Sequence, residues 1–364
     1  MKIIMTGGGT GGHIYPAIAI ADKIKRKHPE AEIIFVGTKK GMEGQLIPKH
    51  GYKIRFITVS GFNRKNLLKN IITIRDLLKG NRQAKKIINE FKPDLVIGTG
   101  GYVCGPIVRA AYKKGIRTFI HEQNAFPGLT NRLLERYVDK VFISFPESAD
   151  YFKHPEKLIV SGNPIRKEFL VSGIHDFRQK LDIKPSEFFI LCFSGSLGAE
   201  KINSVIAEAI DTLSEIPIVK LVFITGKTYY KIIVDHLKNK GISTVGTITV
   251  LPYADNIHEY IMAADLIISR AGALTISEIT ACGRPAILIP SPNVTGNHQY
   301  YNAKVLADQG GAILMEEKDL TSENLIGTLL RLINNREVLN TMAHSSQRVG
   351  RIDGADVIYD HLGL

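Results

Sequence analysis

The sequence predicts an α/β chain of two doubly wound, Rossmann-like domains facing a cleft, and three observations carry that expectation. Short apolar runs alternate with helical stretches through both halves, as when parallel strands are joined by crossover helices. An apolar run, a glycine cluster and a helix start occur in that order at the N-terminus and again near residue 188. The chain has 364 residues, more than the roughly 250–300 that one hydrophobic core serves.

The first such unit is Lys2-Ile-Ile-Met-Thr-Gly-Gly-Gly-Thr-Gly-Gly-His13. Ile3, Ile4 and Met5 form a strand that ends in glycines. Pro16 is expected in the first turn of a helix from Ala17 to Lys27, where its missing N–H costs nothing. Glycines let backbone approach a ligand closely and a helix start offers free N–H groups, so residues 6 to 13 form a candidate diphosphate cradle. Gly7, Gly9 and Gly12 satisfy the dinucleotide spacing. A dehydrogenase also needs an acid after the second strand, and the run Ile33 to Val36 ends in Gly37-Thr38-Lys39-Lys40 instead, which counts against NAD. Gly226-Lys227-Thr228 imitates a P-loop, but Leu221 stands where its first glycine belongs. Phosphate binding leaves His13 unexplained. A titratable group at the cradle mouth is a candidate base.

Strands are expected at 2–5, 32–36, 54–59, 94–97, 117–121, 140–143 and 157–160, then at 188–193, 219–224, 244–250, 265–268, 286–289 and 312–315. The turn Ser161-Gly162-Asn163-Pro164 marks the hinge. The expected domains are therefore 1–163 and 164–340, with a helical tail, 341–364, packing back on the N-terminal domain. The second unit runs from Phe188 into Ser194-Gly195-Ser196-Leu197-Gly198-Ala199 and a helix from Lys201.

Charge is divided unevenly. Residues 1–163 hold 28 Lys and Arg against 13 Asp and Glu, and residues 164–364 hold 19 against 22. A field so lopsided suggests that the first half meets something anionic. Within it, Leu67, Leu68, Ile71, Ile72, Ile74, Leu77 and Leu78 recur at helical spacing among Arg64, Lys65, Lys69, Arg75, Lys79, Arg82, Lys85 and Lys86. One reading is a core-facing helix with a solvated basic face. The other is a basic amphipathic surface for an anionic membrane. Phe62 and Phe91 are the only aromatics nearby, too few for the stacking platforms of RNA binding, so nucleic acid is not expected. Three scattered cysteines without metal spacing or pairing, no apolar run of about 20 residues, and a strand that begins at once point to a cytosolic chain without a signal peptide.

Further clusters lie at expected strand ends: Gly98-Thr99-Gly100-Gly101-Tyr102, His121-Glu122-Gln123-Asn124, and Arg270-Ala271-Gly272-Ala273-Leu274-Thr275 leading to Glu278. The N–H groups of Gly272 to Thr275 could hold a phosphate and Glu278 a ribose. Gly296-Asn297-His298-Gln299 suits sugar hydroxyls. No Asp-x-Asp pair occurs, so no metal or other cofactor is expected at the diphosphate, leaving Arg166 and helix termini to neutralise it.

Taken in order, these motifs with Gly162-Asn163-Pro164-Ile165-Arg166 resemble the bacterial undecaprenyldiphospho-muramoylpentapeptide beta-N-acetylglucosaminyltransferases, GT-B enzymes of the family 28 type, over essentially the whole chain. The resemblance implies a donor site mainly in the C-terminal half and a lipid acceptor on the N-terminal half. It implies that UDP-N-acetylglucosamine gives its sugar, with inversion, to the 4-hydroxyl of the muramyl sugar of lipid I on the cytoplasmic face of the membrane. It would place Thr10, Gly11, Gly12 and Asn124 over the sugar, and Arg166 and Ser196 at the diphosphate. Backbone near Ala254 would meet uracil, and Ala273, Leu274, Thr275 and Glu278 would hold phosphate and ribose. His298 and Gln299 would read the sugar hydroxyls, with Gly101 and Tyr102 on the acceptor side. His13 is the expected base, with Glu122 and Asn124 next. Leu197 and His298 depart from the family pattern, which more usually has glutamine at both. A UDP-sugar transferase with another glycolipid acceptor, a UDP-sugar 2-epimerase and a non-enzymatic nucleotide-sugar sensor are the alternatives.

Overall fold

A computed structural model describes residues 1–61, 69–170, 174–195 and 197–364. It divides into unit 1, Met1–Arg166 with Arg351–Leu364, and unit 2, Lys167–Gly350. Unit 1 runs β1 (Lys2–Thr6), α1 (Gly11–Lys27), β2 (Glu32–Gly37), α2 (Glu43–Lys49), β3 (Lys53–Phe56), α3 (Lys69–Phe91), β4 (Leu95–Gly98), α4 (Cys104–Tyr112), β5 (Arg117–Glu122), α5 (Leu129–Leu134), β6 (Lys140–Ile143) and β7 (Leu158–Val160). Unit 2 follows with α6 (Ile174–Lys180), β8 (Phe188–Phe193), α7 (Glu200–Ser214), β9 (Val219–Ile224), α8 (Tyr230–Asn239), β10 (Ile248–Leu251), α9 (Ile257–Ala263), β11 (Leu266–Ser269), α10 (Ala273–Ala281), β12 (Ala286–Leu288), α11 (His298–Asp308), β13 (Ala312–Leu314), α12 (Ser322–Ile333) and α13 (Arg336–Val349). The last helix, α14 (Gly354–Asp360), returns to unit 1.

Both sheets are parallel, in the orders β3-β2-β1-β4-β5-β6-β7 and β10-β9-β8-β11-β12-β13. Their apolar runs are nearly continuous because both faces are covered. Along β1, Ile3 and Met5 join Phe35, Leu95 and Ile97 in one core layer, and Ile4 joins Ile34, Val96 and Ile120 in the other. In unit 2, Phe188, Ile190 and Cys192 pack with Ile206 and Leu329 from α7 and α12. Strand order reverses between β1 and β4 and between β8 and β11. Such reversal points open a crevice at the carboxyl ends of the strands, where ligands bind in open α/β sheets.

Three local expectations change. Helix α1 begins at Gly11, not near Pro16, so Pro16 lies inside the helix and His13 in its first turn. The N–H groups of His13 and Ile14 already donate to Thr10 O, at 3.1 and 3.3 Å, which starts the helix on the glycine loop itself. Strand β10 starts only at Ile248, because Ser243 and Val245 close a turn and Gly246 has φ +106°. Helix α13 stays with unit 2, burying Leu339 and Met342 in its core, so the segment that returns begins at Arg351.

In α3, Thr73, Gly80, Ala84, Ile87, Ile88 and Phe91 form the buried stripe. The reading of Ile71, Ile74, Leu77 and Leu78 as core-facing is therefore corrected. These four are exposed, from 36% at Leu77 to 67% at Ile71. The helix seats its small residues instead, since a side chain on Gly80 would meet Thr58 O at 2.6 Å. The part of the basic stretch between Phe62 and Leu68 lies outside the described residues.

The returning segment is bound to unit 1 by apolar packing and by main-chain bonds. Ile358 and Leu362 are buried with Ile3 and Phe142. Arg117 donates to Leu362 O and Gly363 O at 2.9 and 3.0 Å, and Lys23 pairs with Asp356. Ile358→Ala removes three buried carbons, so urea titration should show a loss of about 3 kcal/mol.

Candidate functional site

In unit 1 the site forms at the reversal between β1 and β4. Gly8 N–H donates to Gly100 O at 3.3 Å, and a side chain on Gly101 (φ +84°) would strike Gly8 O at 2.5 Å. The two strand ends thus approach backbone to backbone, which only glycine permits. The ring of His13 lies over Gly100, where a Cβ would come within 2.7 Å of its Cδ2. His13 Nδ1 is 2.9 Å from Gly8 O. A carbonyl can only accept, so Nδ1 carries the proton and Nε2 keeps its lone pair. The Thr99 hydroxyl holds the His13 carbonyl at 2.7 Å. Cys104 Sγ–H donates to Thr6 O and Gly100 O, both at 3.0 Å, and burial pushes this thiol up to about 12.

Glu122 is buried and its carboxylate is fully used. It accepts the N–H and side-chain amide of Asn124, Gly128 N–H, and the Asn131 amide, at 2.8 to 3.1 Å. This holds the turn that carries Asn124. His121 is fully buried, with Nε2 3.1 Å from Gly162 O and Nδ1 2.9 Å from the Gln123 amide. Burial pulls its pKa down to about 4, opposed by the Gly162 hydrogen bond and helped by nearby His13. Tyr102 is exposed and its ring lies against Gly61. Thr10 and Gly12 are exposed, Gly11 is half-buried, and Arg166 ends unit 1.

In unit 2 a cavity of about 820 Å³ opens between the ends of β8 and β11. Gly195, Leu197, Lys201, Arg270, Gly272, Thr275 and Gln299 are among its walls. No side chain caps the N-termini of α7 and α10 there, so their first-turn N–H groups remain available to an anion. Gln299 Oε1 accepts Ser291 N–H at 2.9 Å. Arg270 donates to Ile289 O and Pro290 O and pairs with Glu317, which neutralises it. The structure does not bring Ala254, Glu278 or His298 to this wall. Glu278 is half-buried on α10, and His298 Nδ1 is 2.8 Å from Thr295 O. Ala273 is buried and Leu274 half-buried. Ser196 lies outside the described residues. Leu197 stands 76% exposed at the rim. The Gly226 turn is no P-loop, because a side chain there would meet Gly198 N at 2.4 Å. It packs under the second glycine loop.

Comparison with known proteins assigns the family. The glycosyltransferase family 28 N-terminal domain matches residues 3–143, and the family 28 C-terminal domain matches residues 189–358. The chain belongs to glycosyltransferase family 28. A relative in Thermoanaerobacter sp. (strain X514), named UDP-N-acetylglucosamine–N-acetylmuramyl-(pentapeptide) pyrophosphoryl-undecaprenol N-acetylglucosamine transferase, is 47% identical over 99% of this chain and 98% of its own. The Clostridioides difficile (strain 630) protein of that name is 43% identical over 100% of this chain and 88% of its own. The crystal structure of Acinetobacter baumannii MurG aligns with a TM-score of 0.79 and 28% identity, covering 100% of this chain and 99% of that one. The Neisseria meningitidis UDP-GlcNAc 2-epimerase shares the fold, with a TM-score of 0.68 and 16% identity over 99% of both chains.

One residue the sequence reading passed over is Glu43, six positions beyond the end of β2. Its carboxylate accepts Gly9 N–H at 3.1 Å and both the N–H and hydroxyl of Thr38 at 2.8 Å. Side chains on Gly8, Gly37 or Gly41 would collide with it. That spacing of glycines around an acid was the available signal. A second omission, Glu317, had none, since its partner Arg270 lies 47 positions away.

The buried His121 gives unit 1 an acid limit. A neutral imidazole in the fold, with its pKa at about 4 against roughly 6.5 unfolded, contributes stability that is complete above pH 6.5. That contribution is lost as pH falls from 6.5 toward 4. The unfolding free energy from urea titration should drop across this window at about 1.4 kcal/mol per pH unit, and His121→Asn should flatten the slope.

Proposed function

We propose that this chain transfers N-acetylglucosamine from UDP-N-acetylglucosamine to the 4-hydroxyl of the muramyl sugar of lipid I, inverting the anomeric carbon and releasing UDP. The carrying observation is full-length similarity at 43–47% identity to transferases of that name, and the local geometry supplies roles that fit. His13 Nε2 takes the proton of the attacking hydroxyl as the new bond forms, and the pair from the broken C1–O bond goes to UDP. An imidazole whose Nδ1–H is held by Gly8 O and whose Nε2 keeps its lone pair suits that task. Glu122, saturated with donors, positions Asn124, whose amide orients the sugar with Thr10, Gly11 and Gly12. Arg166 and Ser196 meet the diphosphate, whose developing charge the N-termini of α7 and α10 stabilise electrostatically. Thr275 and Gln299, on the cavity wall, hold the ribose and sugar, with Gly101 and Tyr102 toward the acceptor.

We further place the protein peripherally at the cytoplasmic face of the membrane. No helix among the described residues is long and apolar enough to cross a bilayer. Ile71, Ile74, Leu77 and Leu78 stand exposed on α3 beside exposed Arg75, Lys79 and Arg82, so apolar insertion and attraction to anionic lipid act together.

UDP release should require a short-chain lipid I analogue and persist in excess EDTA. Release without acceptor would instead point to an epimerase or hydrolase. His13→Ala should lower kcat by about 10²–10⁴ while UDP affinity stays unchanged, and retained turnover would remove His13 from its role. Arg75→Glu with Lys79→Glu should weaken binding to anionic liposomes at least tenfold without altering UDP binding. Unchanged liposome binding would sink the membrane placement.

A further inference from the structure

We infer that Glu43 is a positioning residue for His13, acting through the single peptide group that joins Gly8 to Gly9. The Gly9 N–H of that group donates to Glu43 Oε2 at 3.1 Å, and the Gly8 C=O of the same group accepts His13 Nδ1–H at 2.9 Å. Carboxylate, peptide and imidazole are therefore connected in succession by two hydrogen bonds that share one conjugated unit. Hydrogen bonds in such chains polarise one another. A negative charge at the N–H end makes the carbonyl a stronger acceptor, fixes the Nδ1–H tautomer and favours the imidazolium that forms when Nε2 takes a proton. No proton passes through the peptide. The effect is electrostatic and geometric, as when a carboxylate orients a histidine base directly.

The surroundings are built for this carboxylate. Glu43 is 1% exposed. Three glycines leave it room: a Cβ at Gly41 would lie 2.0 Å from Oε2, at Gly37 2.4 Å from Cγ, and at Gly8 2.6 Å from Oε1. Burial alone would raise its pKa, but the N–H groups of Thr38, Glu43 itself and Gly9 and the Thr38 hydroxyl outweigh that and leave it below the usual carboxylate range. Other titratable groups around the loop include Cys104, on the α4 side of Gly100, His121, on β5, and Tyr15, beside Gly11. Burial keeps the first protonated and the second neutral near pH 7. Of Glu43, Cys104 and His121, Glu43 alone is charged near pH 7.

The inference rests on His13 being the base, and the experiment separates the two. Turnover of a lipid I analogue is followed from pH 5 to 9 in wild type, Glu43→Gln, His13→Ala and the double variant. Glu43→Gln keeps the shape and removes the charge. It should lower kcat about tenfold and move the acid limb down by about half a pH unit, as expected for one charge some 8 Å away in a medium between protein and water, with KM for UDP-N-acetylglucosamine unchanged. In the His13→Ala background it should cost nothing more, since groups acting as a unit are not additive. Thr38→Val loosens the carboxylate without discharging it and should leave the limb in place. An unmoved limb, an additive loss, or an equal shift in Thr38→Val overturns the relay and leaves His13 as base. Normal turnover by His13→Ala overturns both. Should Glu43→Gln fail to fold, ¹⁵N-histidine NMR of the wild type decides. An Nδ1–H tautomer at His13 near pH 8 supports the relay, and the Nε2–H tautomer removes it.

Discussion

Close approach of backbone to backbone at the reversal of strand order is the constraint on which the rest of unit 1 depends. Gly8 and Gly100–Gly101 meet with no side chain between them, at distances that any Cβ would violate. Once the two strand ends are that near, their polar groups must be satisfied locally, because an unpaired buried N–H or C=O costs about as much as a lost hydrogen bond. The Thr99 hydroxyl, the Cys104 thiol, the His13 imidazole and the Glu43 carboxylate are the partners supplied. Groups that look catalytic and groups that look structural answer the same demand. The imidazole stands out because one of its two nitrogens is left over.

Unit 2 solves the same geometric problem with different chemistry. Gly198 and Gly226 come together as Gly8 and Gly101 do, each at φ +80° and each without room for a side chain. The Asn203 amide donates to Thr225 O at 2.8 Å and ties the two turns to α7. No histidine lines the resulting cavity among the described residues, and its arginine is neutralised by Glu317. What the cavity offers an anion is the pair of uncapped helix starts together with Lys201 on its wall. One fold thus yields a loop that holds an imidazole against backbone and another that leaves helix N-termini open at a cavity.

The architecture was readable because it rests on local signals. All thirteen strands were expected, since a strand buried on both faces must be apolar throughout, and each glycine cluster fell at the carboxyl end of one. Strand ends were less secure where turn chemistry intruded, as at Gly246. The apolar residues of α3 misled in part, because helical spacing shows that Ile71, Ile74 and Leu78 share a face but not what covers it. His13 could be singled out by its place after the glycines. Its tautomer could not, being set by Gly8 O in the folded loop. Glu43 escaped notice for a related reason: a carboxylate becomes significant when the fold carries it 34 positions back along the chain to Gly9, and nothing in its neighbours' polarity announces that.

The proposed membrane placement gives the division of charge a physical reading. The basic excess lies in unit 1, whereas the cavity of unit 2 is lined by one paired arginine, Arg270, and by Lys201. At the His13 loop, the charged group hydrogen-bonded to the backbone among the described residues is an acid, Glu43. Of the cations in unit 1, Arg75, Lys79, Arg82, Lys85 and Lys86 project from α3 into solvent, near apolar side chains left uncovered. Exposed charges of this kind contribute little to folding, but they act over a Debye length, about 8 Å at physiological salt. In the function proposed above, their effect is on approach and orientation at an anionic surface, and the short hydrogen bonds to backbone at His13 serve the chemistry.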